Sequence, residues 1–439
     1  MFLFSNSLRR SCAVAPALAS LFLALPPAAV AQTNIAPIPQ SGAVSALSTP
    51  TTLRAALEAA WALHPVSRAS GNRTAELVAR ARAAQSLTSG PASVGLAHRT
   101  DAWSGDAGLR EVEAEIEVPL WNLGVRRATQ NQVTADATAL AWQQKMAQLK
   151  LAGEVRESAA QVALARAERD SAARKHLEST QLAEDIERRV KVGDLARVDA
   201  MQARASAQLA QGLLAQGEAV LQRAVGQWRA LTGQNQVASL EEALPGAFVQ
   251  NSAGTAIDLQ TVLSDHPALQ AAQAEMQSAR VRLKLTEADR RDPLALGLGV
   301  TRERAAAGAN LETSVRFALR IPLGGDSRNA PKLATARAEL DAAQAQADAV
   351  VRQTEADIAA AQADLEAARR QEALAAQRAT LSSQMQSLVV KSHRLGESDL
   401  PTRMRADNEK FDAELSLARA RIELQRAVSQ LNQSLGYLP

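Results

Sequence analysis

The sequence predicts a mainly helical protein with a small β part, built from two copies of one plan. Its four strands close into a membrane barrel only by meeting strands from other copies. Three observations carry this expectation. Landmarks recur about 203 residues apart, two tracts of roughly 65 residues are almost free of helix breakers, and residues 111–118 alternate glutamate with aliphatic side chains. Only 3% of the 439 residues are aromatic, a composition that suits long helices better than a thick globular core.

Residues 1–31 read as a secretory signal: Arg9 and Arg10, the apolar run "LASLFLALP", then Ala29-Val30-Ala31 as a small-residue cleavage site. Residues 32–50 form an N-terminal extension. Removing Arg9 and Arg10 from 49 basic against 46 acidic residues leaves a charge of about +1. The mature chain is thus far less basic than its pI of 9.2 suggests. No basic cluster with interleaved aromatics occurs, so nucleic acid is not an expected partner. The single cysteine, Cys12, lies inside the signal, which leaves no disulfide, thiol nucleophile or cysteine metal site in the mature chain. Beyond the signal no run of 18 apolar residues exists, so a membrane is entered by strands or not at all.

The repeat sets the domain plan. His64-Pro65 recurs as His266-Pro267, Pro119-Leu120 as Pro322-Leu323, Gly193 as Gly396, Met201 as Met404 and Gly233 as Gly436. We therefore expect a first structural repeat at 51–233, an irregular linker at 234–255, a second repeat at 256–436 and a C-terminal end at 437–439. Each repeat orders its parts alike: a helix, two strands, a very long helix, a tight turn and another helix.

Residues 126–192 contain no proline and one glycine, Gly153, and read as one helix on the order of 100 Å long. In the second repeat Asn329 and Pro331 supply a helix start, and no glycine or proline follows until Gly396. Heptad spacing of Leu333, Leu340 and Ala347, of Val351, Ile358 and Leu365, and of Leu374, Leu381 and Leu388 predicts coiled-coil contact with jumps of register.

In "EVEAEIEVPLW" Glu111, Glu113, Glu115 and Glu117 share one face of a strand, and Val112, Ala114, Ile116 and Val118 the other. At the repeat spacing the apolar face recurs as Val315, Phe317, Leu319 and Ile321, while Glu113 and Glu117 are replaced by Arg316 and Arg320. Partner strands precede each, "ASVGLAHRT" and "LALGLGVTRE", with short glycine-bearing loops between. Strands of about 9 to 11 residues, aliphatic on one face and charged on the other, fit a barrel with a wet lumen. Trp103, Trp121 and Phe317 are the residues available for its aromatic belt. A soluble hairpin with one solvated face is the competing reading.

The histidines at 64, 98, 176, 266 and 393 show no i, i+4 pair, so no metal cage, cofactor site or catalytic group is expected. His64 and His266 read as helix-start positions. No phosphate loop or nucleophile motif occurs, and an enzyme is not predicted.

The chain resembles the TolC-like family of outer-membrane efflux proteins. The resemblance rests on the duplication, on "VPLWNLGVRRA" and "IPLGGDSRNAPKLATARAEL" where strand passes to helix, and on "RRVKVGDLARVDAMQAR" and "HRLGESDLPTRMRADNE" at the helix-to-helix turns. It implies a homotrimer in the outer membrane, with a 12-stranded barrel above a periplasmic α-helical tunnel. It also implies a passive outlet that works with a periplasmic adaptor (membrane fusion protein) and an inner-membrane pump of the RND type. The wording "HRLGESDLP" looks like the CzcC-like cation-efflux branch, which implies heavy-metal cargo; drug efflux and type I secretion outlets share the fold. A periplasmic adaptor would show one long hairpin and large β-domains, and a coiled-coil scaffold no barrel.

The resemblance places the two turns at the periplasmic tip, where the tunnel narrows. Gly193 and Gly396 suit the left-handed helix end, and Asp194, Glu397 and Asp399 sit where the next helix is expected to begin. These acids read either as caps or, with Asp199, as threefold acidic rings that hold the tip closed or attract cations. Multidrug relatives carry aspartates six and nine residues after the second-turn glycine; here those positions are Thr402 and Arg405, while Asp199 matches at the first turn. His393 takes a place often held by a gate tyrosine, and reads as a pH-responsive group or, more plainly, an exposed helix histidine.

Overall fold

A computed structural model describes residues 52–244, 259–323 and 326–439. The expected signal and extension, residues 245–258 of the linker and the start of the second repeat, and Gly324 and Gly325 lie outside the described residues. The element order runs twice: α1 (Leu53–Leu63), α2 (Pro65–Gln85), β1 (Ser93–Thr100), β2 (Arg110–Leu120), α3 (Val125–Lys191) and α4 (Arg197–Thr232), then α5 (Leu259–Asp265), α6 (Pro267–Ala288), β3 (Leu294–Arg304), β4 (Glu312–Arg320), α7 (Asp326–Arg394) and α8 (Leu400–Ser434).

Two boundaries differ from expectation. The first helix of each repeat is two helices, because the His-Pro step breaks it: proline removes an N–H and pushes the preceding residue into extended backbone. Each histidine then caps the helix it precedes. His64 Nδ1 accepts from the Val66 N–H at 3.3 Å, and His266 Nδ1 accepts from the Ala268 N–H at 3.2 Å. The second long helix starts at Asp326, so Pro331 lies inside its second turn rather than at its start. Only one backbone bond is lost there, since the first four N–H groups of a helix have no intrahelical acceptor anyway.

At 1.5 Å per residue the 67 residues of α3 and 69 of α7 each span about 100 Å. Two buried clusters at their middle repeat the same plan. Val155, Val162, Ala165, Ala224 and Trp228 in the first correspond, at the 203-residue spacing, to Ile358, Leu365, Ala368, Ala427 and Leu431 in the second. A third cluster lies at the turn end. The β part is a single antiparallel sheet of order β1-β2-β3-β4 at the opposite end. No helix among the described residues is long and apolar enough to cross a membrane.

The cap at His266 has a consequence for pH. The ring is buried, and burial pushes its pKa below the ordinary value, against the opposing pull of the Ser434 carbonyl and Asp357. Its Nδ1 lone pair is also needed by the cap, so the fold holds the neutral form. The unfolded chain takes up a proton as pH falls through about 6.5 and the fold does not. The stabilisation is therefore complete above that pH and declines below it, toward the lowered folded value. We expect the melting midpoint of the wild type to fall between pH 7.5 and 5.5 by more than that of His266→Asn, which keeps an N-cap acceptor without the titration. Equal falls would dismiss the role of His266.

Candidate functional site

Two regions hold the residues singled out above: the sheet and the paired turns. The sheet is inside out compared with a soluble one. Register aligns Val94, Ile116, Leu298 and Phe317 in one row, Leu96, Ala114, Val300 and Val315 in the next, and Val118, Leu296 and Leu319 in a third. Val94, Leu96, Val112, Ile116, Leu296, Leu298, Val300, Val315, Phe317 and Leu319 are 43–80% exposed. Val118 is half-buried, and Ile321 is exposed one residue beyond β4. Phe317 stands between two aliphatic rows rather than at the upper or lower limit of this apolar face, so it is not part of an aromatic belt. Trp103 lies in the β1–β2 loop and Trp121 just past β2, donating its Nε1–H to the Ser86 carbonyl at 3.0 Å. They flank the face at opposite ends.

The other face is polar and more covered. The acid-for-base exchange between the repeats becomes ion pairing within one chain: Arg316 pairs with Glu113, and Arg320 with Glu117 at 3.1 Å. Both pairs reach from β4 to β2 across β3, which offers only small side chains there, Ala295, Gly297 and Gly299. A Cβ added at Gly297 would meet Glu115 Oε1 at 2.9 Å and the Ala318 Cβ at 3.2 Å, so a side chain there would displace its neighbours. At the loop end a further row aligns Arg99, Glu111, Glu303 and Glu312, with Arg99 3.7 Å from Glu111. Sequence reading missed Glu303 and Glu312, although their parity on β3 and β4 was available. This face carries the acids Glu111, Glu113, Glu115, Glu117, Glu303 and Glu312 against Arg99, Arg316 and Arg320, an acidic excess.

At the turns both helices end in the same closure. Gly193 (φ +84) and Gly396 (φ +78) take left-handed backbone, where a Cβ would be strained. The Asp194 N–H donates to the Arg189 carbonyl and the Glu397 N–H to the Ser392 carbonyl, each at 3.0 Å. Asp194 and Glu397 thus complete the preceding helix, three residues short of the next, and their exposed side chains are not N-caps. Asp399 is one: it accepts from the Thr402 N–H at 3.1 Å, and Thr402, through its side chain first and its N–H second, draws the Asp399 pKa below the usual carboxylate range. Its counterpart in the first repeat is Ala196, which caps nothing, and Asp199 sits half-buried in the first turn of α4. His393 is buried at 5% exposure, contrary to an exposed helix position. Its Nδ1–H donates to the Ser398 carbonyl at 3.0 Å, and its counterpart Val190 packs on the apolar cluster at the same level. Just above the first turn Arg204 donates to Glu187, holding that carboxylate's pKa down.

Ala196→Ser is expected to stabilise the start of α4 by about 1 kcal/mol. Asp399→Ala should speed amide exchange at 402–404, while the amides of α4 remain as protected as before; hydrogen exchange checks both.

A sheet with its aliphatic face outward, set on a pair of 100 Å helical hairpins, defines the TolC-like channel fold, and solved structures share it. Among similar structures are the outer membrane protein VceC from Vibrio cholerae (17% identity over 88% of this chain and 96% of that one, TM-score 0.68), CusC (14%, 88% and 92%, TM-score 0.71) and the CmeC outer membrane channel of Campylobacter jejuni (13%, 94% and 94%, TM-score 0.69). No family model matches the chain, and no curated protein matches it in sequence.

Proposed function

We propose that the chain is the outer-membrane channel of a tripartite efflux system: a passive homotrimeric duct, not an enzyme, that exports heavy-metal cations received from a periplasmic adaptor and an RND-type pump. The observation that carries this is the sheet. Apolar rows exposed to the outside, and glutamate–arginine pairs on the other face, are stable only if lipid covers the first and water the second. Four strands leave two open edges, which a membrane does not tolerate, so copies of the chain complete a barrel. Similarity to CusC, CmeC and VceC supports the same reading.

The cargo follows from charge. Six glutamates against three arginines line the wet face of each copy, and an acidic lumen concentrates cations and retards anions. No group of three or more His, Cys, Asp or Glu that could hold a metal occurs among the described residues, and a duct has no need of one, since tight sites slow passage. The mature protein in a planar bilayer is expected to conduct with cation preference; Glu303→Gln with Glu312→Gln should reduce that preference, and anion preference in the wild type would refute the lumen assignment. Deleting the gene from its host should lower tolerance to divalent metals. Increased drug sensitivity with unchanged metal tolerance would replace the cation reading with a multidrug one.

A further inference from the structure

The apolar face of the sheet finishes differently at its upper and lower limits. Toward the helices it runs out on Leu120 and Leu294, which face each other across β2 and β3. Toward the loops it runs out on bases. Register places His98, Val112, Arg302 and Thr313 in one row, and Thr100, Arg110 and Arg304 in the row beyond it. Strand parity puts all of these on the aliphatic side.

The acids at this height belong to the other side. Glu111, Glu303 and Glu312 alternate with the outward residues along β2, β3 and β4, so Glu303 separates Arg302 from Arg304 in sequence yet pairs with neither. Arg110 stands directly opposite Arg304, and like charges so placed repel. Arg110 is answered within the chain, by Asp101 at 3.6 Å and Asp106 at 4.0 Å. Arg304 donates from Nε to the Gly108 carbonyl at 3.4 Å, and Arg302 is exposed. Among the described residues neither of these two arginines has an acid as partner.

From Leu120 to Val112 the apolar band runs about 27 Å along the strand, or about 20 Å in height once a barrel strand is tilted. The rows of Arg302 and Arg304 close this band and so stand at head-group level. Trp103, 98% exposed in the β1–β2 loop, lies at the same end, and tryptophan concentrates at that level of a bilayer. The loops point away from the helices that extend into the periplasm, which makes this the outer leaflet. An unpaired guanidinium there draws an anion, and its planar fork of N–H donors matches phosphate oxygens two at a time. Two residues apart on one strand face, Arg302 and Arg304 have Cα atoms about 7 Å apart, close enough to hold one phosphate between them.

We propose that Arg302 and Arg304 form a lipid-phosphate site on the outer rim of the barrel: the pair binds the phosphorylated head group of an outer-leaflet lipid, whose acyl chains lie on the rows of Leu298, Val300, Val315 and Phe317. The occupant is a lipid rather than free phosphate because these cations continue the apolar face. On the wet face at the same height Glu303 and Glu312 repel an anion. The inference rests on the lipid-facing assignment made above and adds to it a choice among lipids, at a place the export path does not use.

The test compares lipid A, an acylated sugar carrying phosphates, with the same lipid after its phosphates are removed. Each is titrated into the mature protein in detergent, and bound lipid is counted by native mass spectrometry. The wild type is expected to bind the phosphorylated form about tenfold more tightly. Arg302→Gln with Arg304→Gln should bind the two forms alike, with its affinity for the dephosphorylated form unchanged, which shows the barrel intact. Arg99→Gln, which removes a base at the same height on the lumen face, should keep the preference, and millimolar inorganic phosphate should not displace the lipid. Equal binding of both forms by the wild type, a preference that survives in the double variant or is lost in Arg99→Gln, or displacement by inorganic phosphate overturns the phosphate site alone. Binding of neither lipid overturns the lipid-facing assignment with it.

Discussion

Arg156→Ala is expected to loosen the middle of the molecule by about 3–5 kcal/mol, the cost of stranding one partner of a buried ion pair. Arg156 is 4% exposed, and the side chain of Glu242 9%. The guanidinium donates from Nε and Nη2 to the Glu242 carboxylate at 2.9–3.2 Å, and from Nη1 to Gln433 Oε1 at 2.6 Å and to the Tyr437 carbonyl at 3.1 Å. Gln433 in turn donates to the Leu149 carbonyl at 2.7 Å. It fits because residue 153 is glycine: a Cβ there would stand 3.2 Å from its amide. One side chain of α3 thus fastens the linker, the end of α8 and the C-terminal end, and it has no counterpart in the second repeat, where Ala359 takes its place.

Alanine at 156 leaves a buried carboxylate and a buried amide oxygen without donors. Amide exchange in residues 237–244 and 433–438 should quicken by about two to three and a half orders of magnitude, the factor that 3–5 kcal/mol implies when 1.4 kcal/mol is tenfold. Arg156→Lys should fall between, since an ammonium cannot serve the carboxylate, the amide and the carbonyl together. The pair Arg156→Met with Glu242→Leu should recover most of the loss, because an apolar replacement removes the stranded charge as well. Equal exchange in wild type and Arg156→Ala would mean that the clamp contributes nothing.

The strands were legible because their signal is local: a period of two over eight residues is visible without knowing any partner. The repeat then showed charge of one sign facing charge of the other. It could not show that Glu113 and Arg316 meet, since that needs the register of β3 between them. Heptad spacing on α7 marks apolar rows without saying what meets them: Ile358 and Leu365 are buried within the chain, whereas Leu374, Leu381 and Leu388 are exposed. His393 looked exposed because alanine-rich helices have weak amphipathic contrast. Its heptad relation to Ala379 and its alignment with Val190 both pointed inward. The Arg156 clamp was beyond reach: its partners lie 86, 277 and 281 residues away, two of them in irregular segments.

The second large effect is expected at Leu400. This residue opens α8 in the second repeat, yet at 3% exposure it is buried among Leu182, Ala183 and Ile186 of α3 and Ala203 of α4, with Met404 beside it. Its counterpart in the first repeat is the exposed Arg197. It therefore ties the second turn to the first hairpin by apolar contact, and in the proposed duct this contact would act as a latch on the tip. The Asp399 cap and the Gly396 turn set the start of α8, and with it the position of Leu400 in this apolar cluster. Truncating a buried leucine to alanine costs about 2–5 kcal/mol. A shift of that size moves a closed-to-open ratio by a factor of roughly 30 to several thousand, enough to leave a tip that is mostly closed mostly open. In planar bilayers Leu400→Ala should raise single-channel conductance several-fold and lengthen open times, and Leu400→Asp should do so more strongly by adding a buried charge. Val192→Ala, which shortens an exposed residue at the first turn, should leave both unchanged. A Leu400→Asp protein that keeps its helical content and trimeric mass but conducts like the wild type would show that the cluster packs the tip without closing it.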